Sequence, residues 1–575
     1  MYFSQSYLLS ACKHQNINAY NILEHALSIE DLESREFCKT FEMKDVNIES
    51  ISTNVYSIPI LNNKMPPNVD EFTLCLIPTH LYNEIYNDSK DCTYVNINNC
   101  KNNVLFFERK FKALPLHFTY FVKFIPNRLS IRACSKAFES IRLNLLNDYF
   151  ANFENEPALC AKERFQKDDK FENFEWFNEK IATNDEQMTA IKNIVNCTAF
   201  PFPYVIFGPP GTGKTSALVE CVAQILKLKP ESKIMITAQS NSACDEIGAR
   251  LLKVISPNMI FRLYSPSLLN PKNGVTNVEL RRSSNIRSKQ NQYPSYEEFY
   301  YFNVVIVTLM SSSRLVQVKI NNKHFDYMFI DECAAAMEPE CLVPILGLGT
   351  GLQEITTNLV FLGDHKQLGP VIESDFAEKI GLGQSLMERI MTKPKYQNKP
   401  QYNVNYVTQL LNNYRSHPAI LHFSNVMFYD NMLRCKISAE DQHFTSKWNF
   451  LSNKKFPIIF HSSKEPSQKE PNGTSSFNNG ELKVVDFYVN NLLNSGINGT
   501  NIKQIDIGIV SPYAAQLKKL KNAYNRFPNI EIGTAEYYQG REKNIIIIST
   551  VKSKDGIGFL KSEKVIIVLL IKNKV

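Results

Sequence analysis

The stretch Tyr204-Val-Ile-Phe-Gly-Pro-Pro-Gly-Thr-Gly-Lys-Thr215 decides the fold of this 575-residue chain. Its first four residues are an apolar run that reads as a buried strand. After the glycines a helical pattern follows, with Leu218, Val219, Val222, Ile225 and Leu226 on one face. Between strand and helix, Gly208, Pro209, Pro210, Gly211, Thr212, Gly213, Lys214 and Thr215 match the P-loop spacing, in which backbone N–H groups and a helix N-terminus wrap a polyphosphate. Lys214 is expected to reach the β- and γ-phosphates and the Thr215 hydroxyl to hold Mg²⁺. The chain is therefore expected to bind a nucleoside triphosphate.

Outward from the loop, apolar runs at 234–236, 304–307, 327–330 and 359–362 each end in polar residues. These are 237–242 (including Ser240 and Asn241), Thr308, Asp331 with Glu332, and Gly363 with Asp364. Continuous rather than alternating hydrophobicity predicts strands covered on both faces, hence a parallel sheet with flanking helices. Ligands in such sheets bind at the carboxyl ends of the strands, so these polar residues should share one crevice with the P-loop. Asp331 and Glu332 give a nucleotide hydrolase its two carboxylates, Asp331 to hold Mg²⁺ and Glu332 to orient and deprotonate the attacking water. Thr183-Asn-Asp-Glu186 predicts a capping box at the start of a helix running to about Val195. Gln187, in its first turn, carries an amide able to read an adenine edge, although a solvated helix residue is the commoner role for such a glutamine.

The flanking regions are less explicit. Short β-rich runs at 55–61, 72–77, 104–107, 117–125 and 129–132 predict a small β-barrel or sandwich over residues 46–135, after an N-terminal segment, 1–45, with no assignable role. A helix over 137–153 opens a helical connector, 136–180. The first motor domain spans 181–395; the second, 396–575, repeats the sheet pattern without a P-loop, with buried strands expected at 457–460, 505–510 and 545–551 and a surface loop at 466–480. An insertion at 264–302 carries Arg281, Arg282, Arg287 and Lys289, then Tyr293, Tyr296, Phe299, Tyr300, Tyr301 and Phe302. That composition suits either a single-stranded nucleic acid, phosphates on cations and bases on rings, or a basic loop leading into a core-packing aromatic helix.

Composition sets outer bounds. With 44% hydrophobic and 21% charged residues the chain is an ordinary globular protein, and its net charge of +7 is a mild excess compatible with a polyanionic partner. The 13 cysteines include no Cys-x-x-Cys pair and do not cluster with histidine, which argues against a zinc site or a disulfide framework and for a reducing compartment. Neither a signal peptide nor a membrane-spanning apolar run is expected.

Four further stretches resemble the motifs of superfamily 1 helicases. Gly363-Asp-His-Lys-Gln-Leu-Gly-Pro370 is similar to their third motif, which implies that Gln367 senses the γ-phosphate. Asn413-Tyr-Arg-Ser-His-Pro418 is similar to the motif opening the second motor, implying that Tyr414 stacks on the base and Arg415 contacts the γ-phosphate. The stretches 508–513 and 536–542 resemble the fourth and fifth motifs, placing Glu542 at the ribose, and the resemblance makes Gln187 the adenine-reading glutamine. Phe329-Ile-Asp-Glu-Cys-Ala-Ala-Ala-Met-Glu-Pro-Glu340, with Ser240-Asn-Ser-Ala243, is similar to the Moloney leukaemia virus ten and Armitage group of RNA helicases. The resemblance covers about residues 180–560.

It implies an α/β fold with two tandem RecA-like P-loop motor domains, ATP and Mg²⁺ as cofactors, and single-stranded RNA contacted by Ser240, Asn241 and Thr308. It further implies translocation in the 5′ to 3′ direction by a monomeric motor, a role in small-RNA silencing with Argonaute or Piwi partners, and a cytoplasmic setting that includes ribonucleoprotein granules. The family's last motif, with its γ-phosphate arginine, has no counterpart: 558–564 fits the lead-in, the apolar run 565–571 follows, and Arg541 is the last arginine. The C-terminal end is thus expected to be incomplete. Two alternatives stay open, a superfamily 1 helicase acting on DNA and a hydrolysis-deficient clamp that binds ATP and RNA.

Overall fold

The structure, a computed structural model, describes residues 19–552 except 61–64, 67–68, 70–71, 83–91, 102, 110–112, 155, 158, 161–170, 266–277, 287–295, 319, 399–400, 441–443, 445–447, 471–474, 498 and 539–540. Arg287, Lys289, Tyr293 and the C-terminal run 565–571 lie outside the described residues. The chain forms two compact units, one of Met1–Glu139 with Val371–Gly383, the other of Ser140–Pro370 with Gln384–Val575.

The first unit is a helix, Ala19–Lys39, and seven antiparallel strands in the spatial order Met43–Asn47, Thr119–Pro126, Phe72–Pro78, Thr93–Lys101, Val104–Glu108, Val55–Pro59, Glu49–Ser52. Period-two alternation puts Leu74, Leu76, Tyr120 and Val122 into one core with Val46, Ile58 and Phe107, while Cys75, Ile77 and Phe121 pack on the opposite face. Among the described residues the strands form one antiparallel sheet around a shared core, with no hydrogen-bonded ladder between its two end strands, a partial form of the barrel expected. The expected strand at 129–132 is instead the first turn of a helix, Leu129–Leu143. Its four residues are too few to show a period, whereas the buried Cys134, Phe138 and Ile141 farther on keep helical spacing. The helix expected over 137–153 is interrupted by Leu145, at φ 54°, and resumes as Asn147–Asn152. Within this unit the Glu30 carboxylate accepts the backbone N–H groups of Glu373 (2.7 Å) and Ser374 (2.9 Å), which gives the formerly unassigned N-terminal segment a bracing role.

In the second unit the main sheet has seven strands, all parallel, in the order Ile260–Leu263, Val304–Thr308, Ile234–Ala238, Tyr327–Asp331, Asn358–Gly363, Tyr204–Phe207, Val407–Gln409. The residues of its inner strands are buried throughout, as their unbroken hydrophobicity requires. Register aligns Thr308 and Asp331 with Ala238, and Gly363 with Phe207, so the polar strand ends fall on one edge. Two expected boundaries move. The strand Val407–Gln409 completes this sheet although it lies beyond residue 395, and Leu159–Cys160 of the supposed helical connector pairs in parallel with Glu354–Ile355.

Farther along, Glu531–Gly533, Ile507–Val510 and Ile545–Ile548 form a smaller parallel sheet centred on Ile507–Val510 and packed on the helix Asn479–Ser495 through Val485, Val489 and Leu492. The expected buried strand at 457–460 is absent: these residues take no strand hydrogen bonds and Phe460 is 92% exposed. Ile545–Ile548 is a strand but only half-buried. Part of the expected loop at 466–480 is ordered as the antiparallel pair Gln468–Lys469 and Ser476–Phe477, and the helix that follows starts at Asn479.

Candidate nucleotide and nucleic-acid sites

The P-loop holds its shape through backbone conformations that side chains disfavour. Gly211 and Gly213 have φ of 83° and 88°, and a Cβ at either would collide with a neighbour, 2.4 Å from Arg415 Cβ and 2.4 Å from Gln187 Nε2 respectively. The glycines therefore serve conformation and closeness together, since the residues they admit are two of those expected at the nucleotide. Thr212 closes the loop by donating to Pro209 O at 2.8 Å. Lys214, buried at the start of the helix Lys214–Leu228, donates from Nζ to Gly208 O at 2.7 Å, and Thr215 follows it in the first turn.

The helix before the loop spans Asp185–Val195, and its cap is Asn184 rather than Thr183. Asn184 Oδ1 accepts the Gln187 N–H at 3.1 Å, while the Thr183 hydroxyl turns back to donate to Lys180 O. Asn184 then donates from Nδ2 to Tyr414 Oη at 3.0 Å, and Gln187 donates from Nε2 to Gly213 O at 3.0 Å. The two residues expected at the base are thus tied to one short stretch of helix. Gln187 is buried, and Tyr414 is 41% exposed, leaving ring surface for stacking.

The segment around Arg415 is bound to the loop by backbone. Leu410 N–H donates to Phe207 O and Tyr414 N–H to Gly211 O, each at 2.8 Å, and Asn413 Nδ2 donates to Pro210 O at 2.8 Å while its Oδ1 accepts from Arg415 and Ser416 N–H. Arg415 forms an ion pair with Glu542 at 2.5 Å, and its Nε is buried with no acceptor among the described residues. The guanidinium expected at the γ-phosphate and the carboxylate expected at the ribose therefore meet each other.

Across the crevice Asp331 is buried, and its carboxyl is pushed up to about 7, first by burial and then by the charge of Glu332, with Lys214 acting in the opposite sense. Glu332 has a left-handed backbone, φ 53°, costly for a residue with a Cβ and held by its N–H bond to Asp331 Oδ1 at 3.0 Å. Two crowded carboxylates near Lys214, the residue that Thr215 follows, suit a hard divalent cation that keeps several waters and takes its remaining ligands from phosphate. Among the described residues no cluster of three or more His, Cys, Asp or Glu offers an all-protein metal cage. Gln367 is buried and donates its side-chain amide to Asp364.

The nucleic-acid residues are committed differently. Ser240 caps the helix Asn241–Leu251 by accepting Ala243 N–H at 3.1 Å and stays exposed. Asn241 Oδ1 accepts from Arg262 Nη2 at 2.9 Å, and Thr308, buried, donates to Ser311 Oγ at 2.9 Å. Arg262 is fully buried, paired with Asp245 at 2.8 Å and stacked 4.2 Å from the Tyr264 ring centroid. In the insertion, Phe299 packs against Phe261 and Phe325, and Phe302 against Phe261, as a core would require. Tyr300 and Tyr301 are exposed by 57% and 79%.

Asp364 lies where the polar strand ends were expected, beside the P-loop. Asn184 and Asn413 lie inside the quoted stretches without an expected role, whereas no local pattern marks Tyr429 and Arg262. The telling Met337–Glu340 stretch is a brace: Glu338, buried, pairs with Arg389 at 2.6 Å, and Glu340 caps its helix by accepting Met337 N–H at 3.0 Å.

Two family models, each described as an AAA domain, match this chain, one over residues 182–301 and 299–375 and the other over 382–574. The chain is 38% identical over 412 residues to the helicase mov-10-B.1 of Danio rerio, an alignment covering 68% of this chain and 40% of that protein. It is also 38% identical to the helicase MOV-10 of Gallus gallus, over 69% of this chain and 44% of that one. The RNA helicase Mov10l1 of Homo sapiens is 34% identical over 69% of this chain and 33% of its own length. The chain thus spans less than half the length of each of these three relatives.

Proposed function

We propose, because this chain belongs to the superfamily 1 helicase group of MOV-10, Mov10l1 and Armitage, that it hydrolyses ATP to move along single-stranded RNA, 5′ to 3′, in small-RNA silencing. The observation that carries the reading is the seam at the P-loop, where Gly211 and Gly213 admit Arg415 and Gln187 into contact with the loop. A nucleotide held there would touch the first sheet and the segment leading to the second at once, which is what converts hydrolysis into relative movement.

In this reading Gly208 to Thr215 hold the phosphates, with Lys214 exchanging the Gly208 carbonyl for the β- and γ-oxygens. Gln187 and Tyr414 hold the base and Glu542 the ribose. Thr215 and Asp331 would hold Mg²⁺, which would supply positive charge to the phosphate oxygens. Glu332 takes the proton of the attacking water, and Gln367 and Arg415 face the γ-phosphate. Either Arg415 or Glu542 reaches its place only by giving up their 2.5 Å pair, so nucleotide entry is coupled to rearrangement of that contact.

RNA lies over Ser240, Asn241, Thr308 and the exposed tyrosines of the 264–302 insertion. The antiparallel N-terminal sheet serves as the group's barrel, and the two motor domains meet after the strand Val407–Gln409. Argonaute or Piwi partners and cytoplasmic ribonucleoprotein granules complete the reading. Among the described residues no helix is long and apolar enough to cross a membrane.

ATP turnover measured alone, with single-stranded RNA and with a DNA strand of the same sequence tests the proposal. RNA-stimulated turnover is expected. Stimulation by DNA alone would favour the DNA helicase, and nucleotide and RNA binding without turnover would favour the clamp.

A further inference from the structure

Asp364 is 2% exposed and accepts three hydrogen bonds: the Lys366 N–H at 3.1 Å, the Gln367 side-chain amide, and the Tyr429 hydroxyl at 2.7 Å. The amide and the hydroxyl share one oxygen, Oδ2. Since the carboxylate is the acceptor in every one of these bonds, Gln367 must turn Nε2 toward it, and Oε1 becomes the other, outward end of the amide. Among the described residues Oε1 takes no partner. An amide fixed this way offers an acceptor, the polarity needed to take a hydrogen bond from an attacking water.

The placement of Tyr429 is itself expensive. It ends the helix Pro418–Phe428, the element that follows Arg415, and is 1% exposed. The two residues after it, Asp430 and Asn431, both have left-handed backbones, φ 52° and 56°. Asn425 secures that turn through Nδ2 to Asn431 Oδ1 (3.2 Å) and Leu433 O (3.0 Å), and through Oδ1 from Leu433 N–H (2.9 Å). The Tyr429 ring stacks 6.5 Å from Phe207, the residue that enters the P-loop.

We propose that Tyr429 is a positioning residue for ATP hydrolysis: by holding Asp364 it fixes which end of the Gln367 amide faces the nucleotide, and it ties that setting to the segment carrying Arg415. The inference rests on the ATPase reading above. Packing alone would make Tyr429 a satisfied core residue whose loss costs stability evenly, and the two roles predict different kinetics.

The test is a cycle of Tyr429→Phe, Gln367→Ala and the double variant, each assayed for RNA-stimulated kcat, KM for ATP and melting temperature. Tyr429→Phe is expected to lower kcat at least about tenfold with KM changed less than about twofold, and to lower it no further in the Gln367→Ala background. Equal losses in both backgrounds, or an unchanged kcat, would overturn the proposal. Should Tyr429→Phe fail to fold, Asp364→Asn, whose amide lets Gln367 face it with Oε1, replaces it in the cycle with the same non-additivity expected. A wild-type chain without ATPase would overturn both the function and this inference; an active wild type with additive variants would overturn this inference alone.

Discussion

At the P-loop edge of the main sheet, Gln187, Arg415 and the acidic pair converge on a loop whose glycines leave room for them, and Lys214 is held by a single carbonyl it can release. Farther along the same edge, Asn241 and Thr308 are already bonded within the protein, to Arg262 and Ser311, while Ser240 and, in the insertion, Arg281, Arg282, Tyr300 and Tyr301 are exposed. The P-loop segment of the edge is built to exchange protein contacts for ligand contacts. The second segment is built to hold a surface still, which suits a partner recognised by backbone and shape rather than by base edges.

The largest effect is expected at the P-loop segment. Glu332→Gln leaves Asp331, Thr215 and Lys214 in place, so nucleotide affinity should persist while turnover falls by about 10² to 10⁴, the usual worth of a positioned base. Single-turnover hydrolysis measured beside equilibrium binding checks this, and parallel losses in both would remove Glu332 from its role. Farther along the edge, Arg262→Met takes away the partner of Asn241 while the long stem still fills the core. RNA affinity should weaken about three- to tenfold, in line with about 1 kcal/mol for a hydrogen bond, with RNA-free ATP turnover unchanged. Unaltered RNA affinity would show that Asn241 needs no holding and would dissolve the contrast between the two segments.

The smallest effect is in pH. The Asp331 carboxyl sits near 7 in the folded chain, above its ordinary value of 3.8, because of burial and the adjacent Glu332 charge. The folded chain therefore binds a proton in a range where the unfolded chain has lost it. This group's contribution to stability is full below its ordinary value and is lost as pH rises through about 7. Without nucleotide, melting temperature should decline between mildly acidic and neutral pH, and Asp331→Asn should flatten that decline.

How much was readable beforehand follows the same divide. The P-loop, the Asp331–Glu332 pair and the strand ends were legible because glycine spacing and unbroken apolar runs fix backbone geometry locally. The bond from Arg262 to Asn241 and the one from Tyr429 to Asp364 join residues far apart in sequence, so no window of sequence contains them. Short segments misled in the same way. The four residues at 129–132 fit a strand as well as a helix, and the apolar residues at 457–460 fit a buried strand although Phe460 faces solvent. The helix is capped one residue later than the expected box because Thr183 and Asn184 both carry a capping side chain, and only the geometry selects the asparagine.

The central claim, that this P-loop edge is a working nucleotide site, is tested most directly by titrating Mg²⁺ and an ATP analogue into the wild-type chain and into Lys214→Ala. Removing the ammonium deletes charge-assisted bonds to phosphate worth about 1.5 to 3 kcal/mol, so affinity should fall roughly ten- to a hundredfold. Equal, tight binding by the two proteins would contradict the account.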